Sequence, residues 1–180
     1  MEQTKIIMKK RLVIADQDKY SKGNEMVSLK DVNKEQIQQL SRQLWRSFKN
    51  TPDDRGESLS DWEKEVSESF KGKYGELLRT YSFISKDTES DQVLGTAIVS
   101  LFREIPLLIY LAVDPDRQGE GLAVKMLDKV VETMVVSDVY KELYLVVIPE
   151  NHRAKEIYER YGFLTVGSSW DEVLNNMRGS

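Results

Sequence analysis

Hydrophobic positions along this chain change their period several times, and each change predicts an element. Ile37, Leu40, Leu44, Trp45 and Phe48 recur at helical spacing, with Asp31 or Asn33 placed to cap the helix. Residues 50–57 (NTPDDRGE) are polar and punctuated by Pro52 and Gly56, so they read as a loop. A second helix carries Trp62, Val66 and Phe70; Ser60 and Glu63 have capping-box spacing, and Gly72 or Gly75 should end it. The pattern then turns strand-like. Residues 81–84 and 93–102 predict an antiparallel pair around the polar stretch 86–91. Arg103, Glu104 and Ile105 connect to the apolar run 107–113, with Pro106 as a break, so a three-strand meander is expected. The following helix should bury Ala123, Met126, Leu127, Val130, Val131 and Met134. Residues 143–148 (LYLVVI) form a near-continuous apolar run, as in a parallel strand covered on both faces. Strand, helix and strand predict a right-handed crossover that sets these two runs side by side. A last helix from Asn151 puts Ala154, Ile157, Tyr158 and Tyr161 on one face, with Gly162 as its left-handed cap. Strand resumes at 163–166, and residues 171–178 fit helix and strand equally. At the other end, residues 5–15 suit an edge strand guarded by Lys9 and Lys10. Residues 16–24 read as a turn, and 26–29 as the hairpin partner of that strand. The fold class is α/β with a mixed central sheet. A domain over 25–180 follows an extension over 1–24.

Composition narrows the chemistry. The 180 residues suffice for one domain with a real core. A net charge of -4 does not favour a nucleic-acid partner. Absence of cysteine excludes disulfides, thiolate metal sites and cysteine nucleophiles, and His152, the one histidine, argues against a histidine metal site, so no metal is expected. No apolar run approaches the ~20 residues of a membrane span. Lys9, Lys10 and Arg11 interrupt the first apolar residues, unlike a signal peptide, which predicts a cytoplasmic protein.

The chemistry gathers in residues 107–126, LLIYLAVDPDRQGEGLAVKM. Asp114 and Pro115 end the strand. Gln118, Gly119, Glu120, Gly121, Leu122 and Ala123 then form an elbow that opens a helix. Gly119 and Gly121 allow positive φ and close approach of a ligand. Backbone N–H groups at the positive end of a helix dipole suit phosphate or pyrophosphate. The pattern is neither GxGxxG, since Val124 stands in the third glycine slot, nor a Walker loop, since no GK[ST] follows. A nucleotide binder using the same elbow stays open at this point.

The elbow Q-G-E-G-L-A, preceded by LAVDP, resembles the [RQ]-x-x-G-x-[GA] signature of the GNAT superfamily, the acyl-CoA-dependent N-acyltransferases. One helix and one strand later, Asn151, Ala154, Tyr158, Gly162 and Phe163 resemble that family's second motif, N-x-x-A-x-x-x-Y-x-x-x-G-F. The resemblance covers about residues 77–166 and leaves out the first residues to Asn24. It implies a GNAT-type fold whose two parallel strands splay apart, with helices flanking the sheet. Acetyl-CoA would lie in the splay, its pantetheine along Leu111, Ala112 and Val113, and its pyrophosphate on the N–H groups of residues 118–123. Asn151 would bond the pantetheine arm as well as cap its helix. Tyr158 would protonate the leaving thiolate, and a backbone N–H near Val113 would hold the oxyanion. The implied activity is direct acetyl transfer from acetyl-CoA to a primary amine. The alternative is a non-catalytic acyl-CoA sensor or interaction module of the same fold. Glu104, Tyr110, a water chain and His152 are candidate bases for the amine's proton. Gln118 and Ala123 stand where Arg and Gly are commoner, and Val124 where a basic residue is usual. Lys125 and Lys155 are therefore the candidates for the 3′-phosphate. Asp53, Asp54 and Glu57, if they border the acceptor, favour a cationic amine, small molecule or protein. A homodimer through the N-terminal strand edge is a further expectation.

Overall fold

The computed structural model describes residues 4–13 and 24–179. One mixed sheet carries the architecture. Its strands are β1 (Ile6–Arg11), β2 (Asn24–Ser28), β3 (Glu76–Leu77), β4 (Phe83–Asp87), β5 (Val93–Phe102), β6 (Ile105–Val113), β7 (Glu142–Val147) and β8 (Leu164–Gly167). They lie in the order β2-β4-β5-β6-β7-β1-β8, with β3 on β5. The helices are α1 (Lys34–Phe48), α2 (Leu59–Phe70), α3 (Leu122–Ser137), α4 (His152–Tyr161) and α5 (Trp170–Arg178).

The sheet is covered on both faces. Leu40 and Leu44 of α1 and Val66 of α2 pack with Ile84, Ile98, Tyr110 and Ala112. Met126, Leu127, Val130 and Met134 of α3 pack with Leu94, Ala97, Leu108, Leu143 and Leu145. Each such side chain contributes roughly 1.5–3 kcal/mol when fully buried. In α3 the first buried residue is Leu122, where Ala123 was expected; Ala123 stays partly exposed at the elbow. The undecided segment near the C-terminus is helical. Ser169 caps α5, and Trp170 and Val173 pack it onto Phe102, Ile105, Leu107 and Tyr144.

The meander β4-β5-β6 is antiparallel as read from the pattern, and β7 lies parallel beside β6, joined to it through α3. Pro106 lies inside β6 opposite Leu101, not before it. Arg103 and Glu104 make the β5–β6 turn, both at positive φ (48° and 66°), the backbone that a tight hairpin requires. Asn33 caps α1. The α2 cap, however, is Ser58 with Asp61, not Ser60 with Glu63; the box closes two residues earlier.

The N-terminal strand corrects the reading most. β1 is not an edge strand: it lies between β7 and β8 and runs antiparallel to both. Ile7 and Met8, 2% and 0% exposed, point into opposite cores. Its lysines are accommodated rather than solvated. Lys9 pairs with Glu142 at 3.1 Å, and Lys10 sits 5.3 Å over the Tyr161 ring. The partner of β2 is β4, not β1, because Val27 then meets Ile84 in the core under α1. With β1 enclosed, a dimer across its edge has no structural basis. The turn expected over 16–24 lies outside the described residues, except Asn24, which opens β2.

Candidate functional site

β6 and β7 pair only at Leu107 with Tyr144 and Leu108 with Leu145, then part. A bulge is the cause. Opposite Ile98 and Val99, β6 carries one residue too many, Ile109, between Leu108 and Tyr110. The extra residue bends β6 away from β7. Beyond it the pairs with β5 alternate. Asp114 N–H bonds Leu94 O at 2.7 Å, so Val113 and Leu111 turn their own N–H groups away from β5 toward the gap.

The gap is a cleft of about 380 Å³. Leu111, Ala112, Val113, Gln118, Gly119, Gly121, Leu122, Ala123, Asn151 and Tyr158 all line it. Glu120 does not; it is exposed and faces Arg117 at 3.9 Å. Gly119 and Gly121 have φ of +86° and +77°, and Gly121 enters α3 without a side-chain cap. The first-turn N–H groups of α3 therefore open on the mouth of the cleft at the positive end of the helix dipole. Asp114, 2% exposed, anchors the elbow's approach. It accepts from the Asp116 N–H at 3.0 Å and pairs with Arg46 at 3.3 Å. Arg117, Arg153 and Arg160 add positive charge around the lining. Arg153 donates to Gln118 Oε1 at 2.6 Å, tying α4 to the elbow. Lys125 and Lys155 do not line the cleft.

A buried polar chain fixes the far wall. Thr96 Oγ1 donates to Gln43 Oε1 at 2.6 Å, Gln43 Nε2 to Ser47 Oγ at 2.7 Å, and Ser47 Oγ to the Val113 carbonyl at 2.8 Å. Thr96, Gln43 and Ser47 were invisible in the sequence reading. Their one signal is a polar pair, Gln43 and Ser47, one turn apart on the apolar face of α1. Phe48 completes this wall and stacks on Trp62 at 5.2 Å, which meets Tyr110 edge-on at 6.0 Å.

Tyr158 projects from α4 against Phe163, ring centroids 5.8 Å apart. Burial pushes its phenol well above the ordinary tyrosine range, and the Asp53 carboxylate adds to the shift. Asn151 caps α4 through its Oδ1, which accepts from Ala154 N–H at 3.3 Å, while its Nδ2 donates to Asp53 Oδ2 at 2.6 Å. The three acidic residues of the α1–α2 loop therefore differ. Asp54 accepts from the backbone of Asn50 and Gly56, and Glu57 from the backbone of Arg55; both brace the loop itself. Asp53 alone of the three reaches across to α4.

The candidate bases separate too. Glu104 sits in the β5–β6 turn, at the opposite end of β6 from the cleft, too far to act there. Tyr110 faces α2, donates to Glu65 Oε1 at 2.9 Å and lies outside the cleft lining. Burial raises its phenol well above the ordinary range. His152 is exposed at the start of α4 and also lies outside the lining. Among the described residues no group of three or more His, Cys, Asp or Glu converges as a metal site. Among them, too, no helix is long and apolar enough to cross a membrane.

The sequence model of the acetyltransferase (GNAT) family matches residues 37–163. No curated protein is a significant sequence match. Among solved structures, a GCN5-related N-acetyltransferase from Sphaerobacter thermophilus superposes with a TM-score of 0.67 at 17% identity, over 91% of this chain and 49% of that one. The chain thus spans about half the length of that neighbour. The ribosomal-protein-S18-alanine N-acetyltransferase of Escherichia coli superposes with a TM-score of 0.60 at 23% identity, covering 80% of this chain and 79% of that one. An aminoglycoside N-acetyltransferase in complex with CoA superposes at 0.57 and 16% identity, covering 82% and 92%.

Proposed function

The chain belongs to the GNAT acetyltransferase family, and on that premise we propose that it moves the acetyl group of acetyl-CoA directly to a primary amine. The observation that carries this is the convergence of a splayed strand pair and an uncapped α3 N-terminus on one cleft. Pantetheine takes the turned-out main chain of residues 111–113. Pyrophosphate takes the N–H groups of residues 118–123, with Arg117 and Arg153 adding charge complementarity. Glu120 contributes only its backbone, since its side chain lies outside the lining. The Val113 N–H holds the oxyanion that forms when the amine attacks the thioester. Tyr158, whose environment keeps it protonated, donates to the departing sulfur, so that CoA leaves as the thiol (pKa near ~8.5) and not as a bare thiolate. The acceptor is a cationic amine, of a small molecule or of a protein. Neighbours of this fold include enzymes named for a ribosomal protein and for aminoglycosides. The setting proposed is cytoplasmic, and the transfer needs no metal.

The test is acetyl-CoA-dependent thiol release across a panel of amines, run beside acetyl-CoA titration of Gly121→Trp. A Cβ at Gly121 meets nothing within 4 Å, but at φ +77° any side chain strains the elbow, so the variant's fold is checked by circular dichroism beside the titration. Turnover on a panel amine, with acetyl-CoA binding lost in the folded variant, supports the reading. Tight acetyl-CoA binding without turnover on any amine supports a sensor instead, and tighter binding of ATP or NAD than of CoA rejects both.

A further inference from the structure

Asp53 is the one acidic side chain of the α1–α2 loop that leaves its own loop. Its Oδ2 accepts from Asn151 Nδ2 at 2.6 Å, and Asn151 lines the cleft two turns before Tyr158 on the same side of α4. The loop is braced to hold it there. Asp54 ties Asn50 to Gly56, Thr51 Oγ1 accepts from the Asp53 N–H at 3.3 Å, and Thr51 itself lines the cleft. Asn151 cannot swing away freely, because its Oδ1 is committed to the α4 cap. Asp53 itself stands behind the lining, which Thr51 and Asn151 provide, and through Asn151 its carboxylate is a negative charge held at the edge of the cleft. Burial first, and then that charge, raise the Tyr158 phenol.

We propose that Asp53 is the catalytic carboxylate that receives the acceptor amine and takes its proton during attack, and that Asn151 is the residue that positions it. The inference rests on the acetyl-transfer reading and deepens it. Before attack the ammonium gives one proton to water. The nitrogen lone pair then forms the N–C bond to the thioester carbonyl, and the nitrogen becomes positively charged beside Asp53. Asp53 takes the second proton. The C–S bond breaks with its electron pair on sulfur, and Tyr158 protonates the sulfur. Asp53 returns its proton to water and Tyr158 regains one, so the sum is amide, free thiol and one proton released. A neutral acceptor such as an alcohol offers the carboxylate a hydrogen bond but no charge, so the site favours cationic amines. Asn151 contacts pantetheine only with what its two bonds leave free; its larger part is to aim Asp53.

The test compares wild type with Asp53→Asn, Asp54→Asn and Asn151→Ser. The serine keeps a helix-capping oxygen but removes the amide donor to Asp53. Three probes are used: spermidine, kanamycin and a lysine-bearing peptide. Each is titrated into CoA-saturated protein by calorimetry and assayed by thiol release with acetyl-CoA. Expected for at least one probe is a tenfold or greater loss of affinity in Asp53→Asn. With it should come a loss of kcat/KM on the order of 100-fold, the low end of general acid–base contributions. Asp54→Asn keeps one of its two loop bonds and should lose far less than Asp53→Asn in both measurements, and Asn151→Ser should fall between. Acetyl-CoA affinity should stay constant in Asp53→Asn and Asp54→Asn. Equal values for Asp53→Asn and wild type, equal losses in Asp53→Asn and Asp54→Asn, or no uptake of any probe by wild type would overturn the assignment. Failure of wild type to bind acetyl-CoA would instead sink the acetyl-transfer reading, so the two failures are told apart.

Discussion

Ser47→Ala tests whether the buried chain Thr96–Gln43–Ser47–Val113 is a strut for the cleft. The hydroxyl does two things at once: it accepts from Gln43 Nε2 at 2.7 Å and donates to the Val113 carbonyl at 2.8 Å. Alanine removes both. Val113 borders the cleft, so water can take over at its carbonyl. Gln43 is 2% exposed, and its amide is left without that acceptor. A buried donor stranded in this way costs about 1–3 kcal/mol. Taking ~2 kcal/mol and the roughly 2–4 °C per kcal/mol typical of this size, Tm should fall by about 4–8 °C. Function should suffer separately. The Val113 N–H is the proposed oxyanion donor, and a 1 Å misplacement of a reacting group can cost on the order of 100-fold. A residual drop in kcat of about tenfold at a temperature where the variant is folded is therefore expected. The assays are thermal unfolding by circular dichroism and thiol release at 20 °C below the variant's Tm (roughly the plateau of its folded baseline). Ser47→Thr, which keeps the hydroxyl, is the control. If Ser47→Ala melts within about 1 °C of wild type and keeps full kcat, the chain carries neither load and the reasoning fails.

Further predictions address other parts of the molecule. Tyr158→Phe should lower kcat by about 10²–10⁴ with little change in the KM for acetyl-CoA. Because burial and Asp53 raise the Tyr158 phenol, the acid form persists past the ordinary ~10, and no fall in rate below pH 10 should trace to it; an alkaline limb near pH 9 that vanishes in the phenylalanine variant would contradict this. Gly95→Ala should destabilise by about 1–3 kcal/mol in urea unfolding, since its Cβ would stand 2.6 Å from Met126 Sδ and 3.3 Å from the Ala112 carbonyl. Burial pushes the Glu65 carboxyl up, but hydrogen bonds from Lys73, Tyr74 and Tyr110 outweigh it and leave the group below its ordinary range. That stabilisation is full above the unfolded pKa of ~4.3 and fades as pH falls through the lower folded value. The stability gap between wild type and Glu65→Gln should therefore be constant at neutral pH and close on acidification, as read from unfolding midpoints across pH.

Local patterning carried most of the fold because each helix declares its buried face within a few turns. The meander and the crossover also follow from neighbours in sequence. The elbow was legible for a related reason: Gly119 and Gly121 are needed for the backbone they adopt, whatever surrounds them. What stayed hidden depends on partners far along the chain. The place of β1 is set by Val147 and Gly167, not by its own lysines, which look like edge guards until Glu142 and Tyr161 are seen beside them. The inequality of Asp53, Asp54 and Glu57 is likewise unreadable in residues 50–57. Only the approach of Asn151 singles out the first of them. The Ser47 chain escaped because a serine among apolar helix positions gives no hint of which carbonyl it will reach.

Synthesis order meets an obstacle in this sheet. Ile6–Arg11 emerges from the ribosome before the other strands of the sheet, yet its two neighbours, Glu142–Val147 and Leu164–Gly167, emerge after all the rest. The early segment must wait, unpaired on both sides, until both of these later strands have been made, and its docking then joins segments far apart in sequence in one step. Such distant pairing slows folding and leaves apolar Ile7 and Met8 exposed to other chains meanwhile. A nascent chain halted before residue 142 would hold every element of the meander and still lack the clasp that closes it.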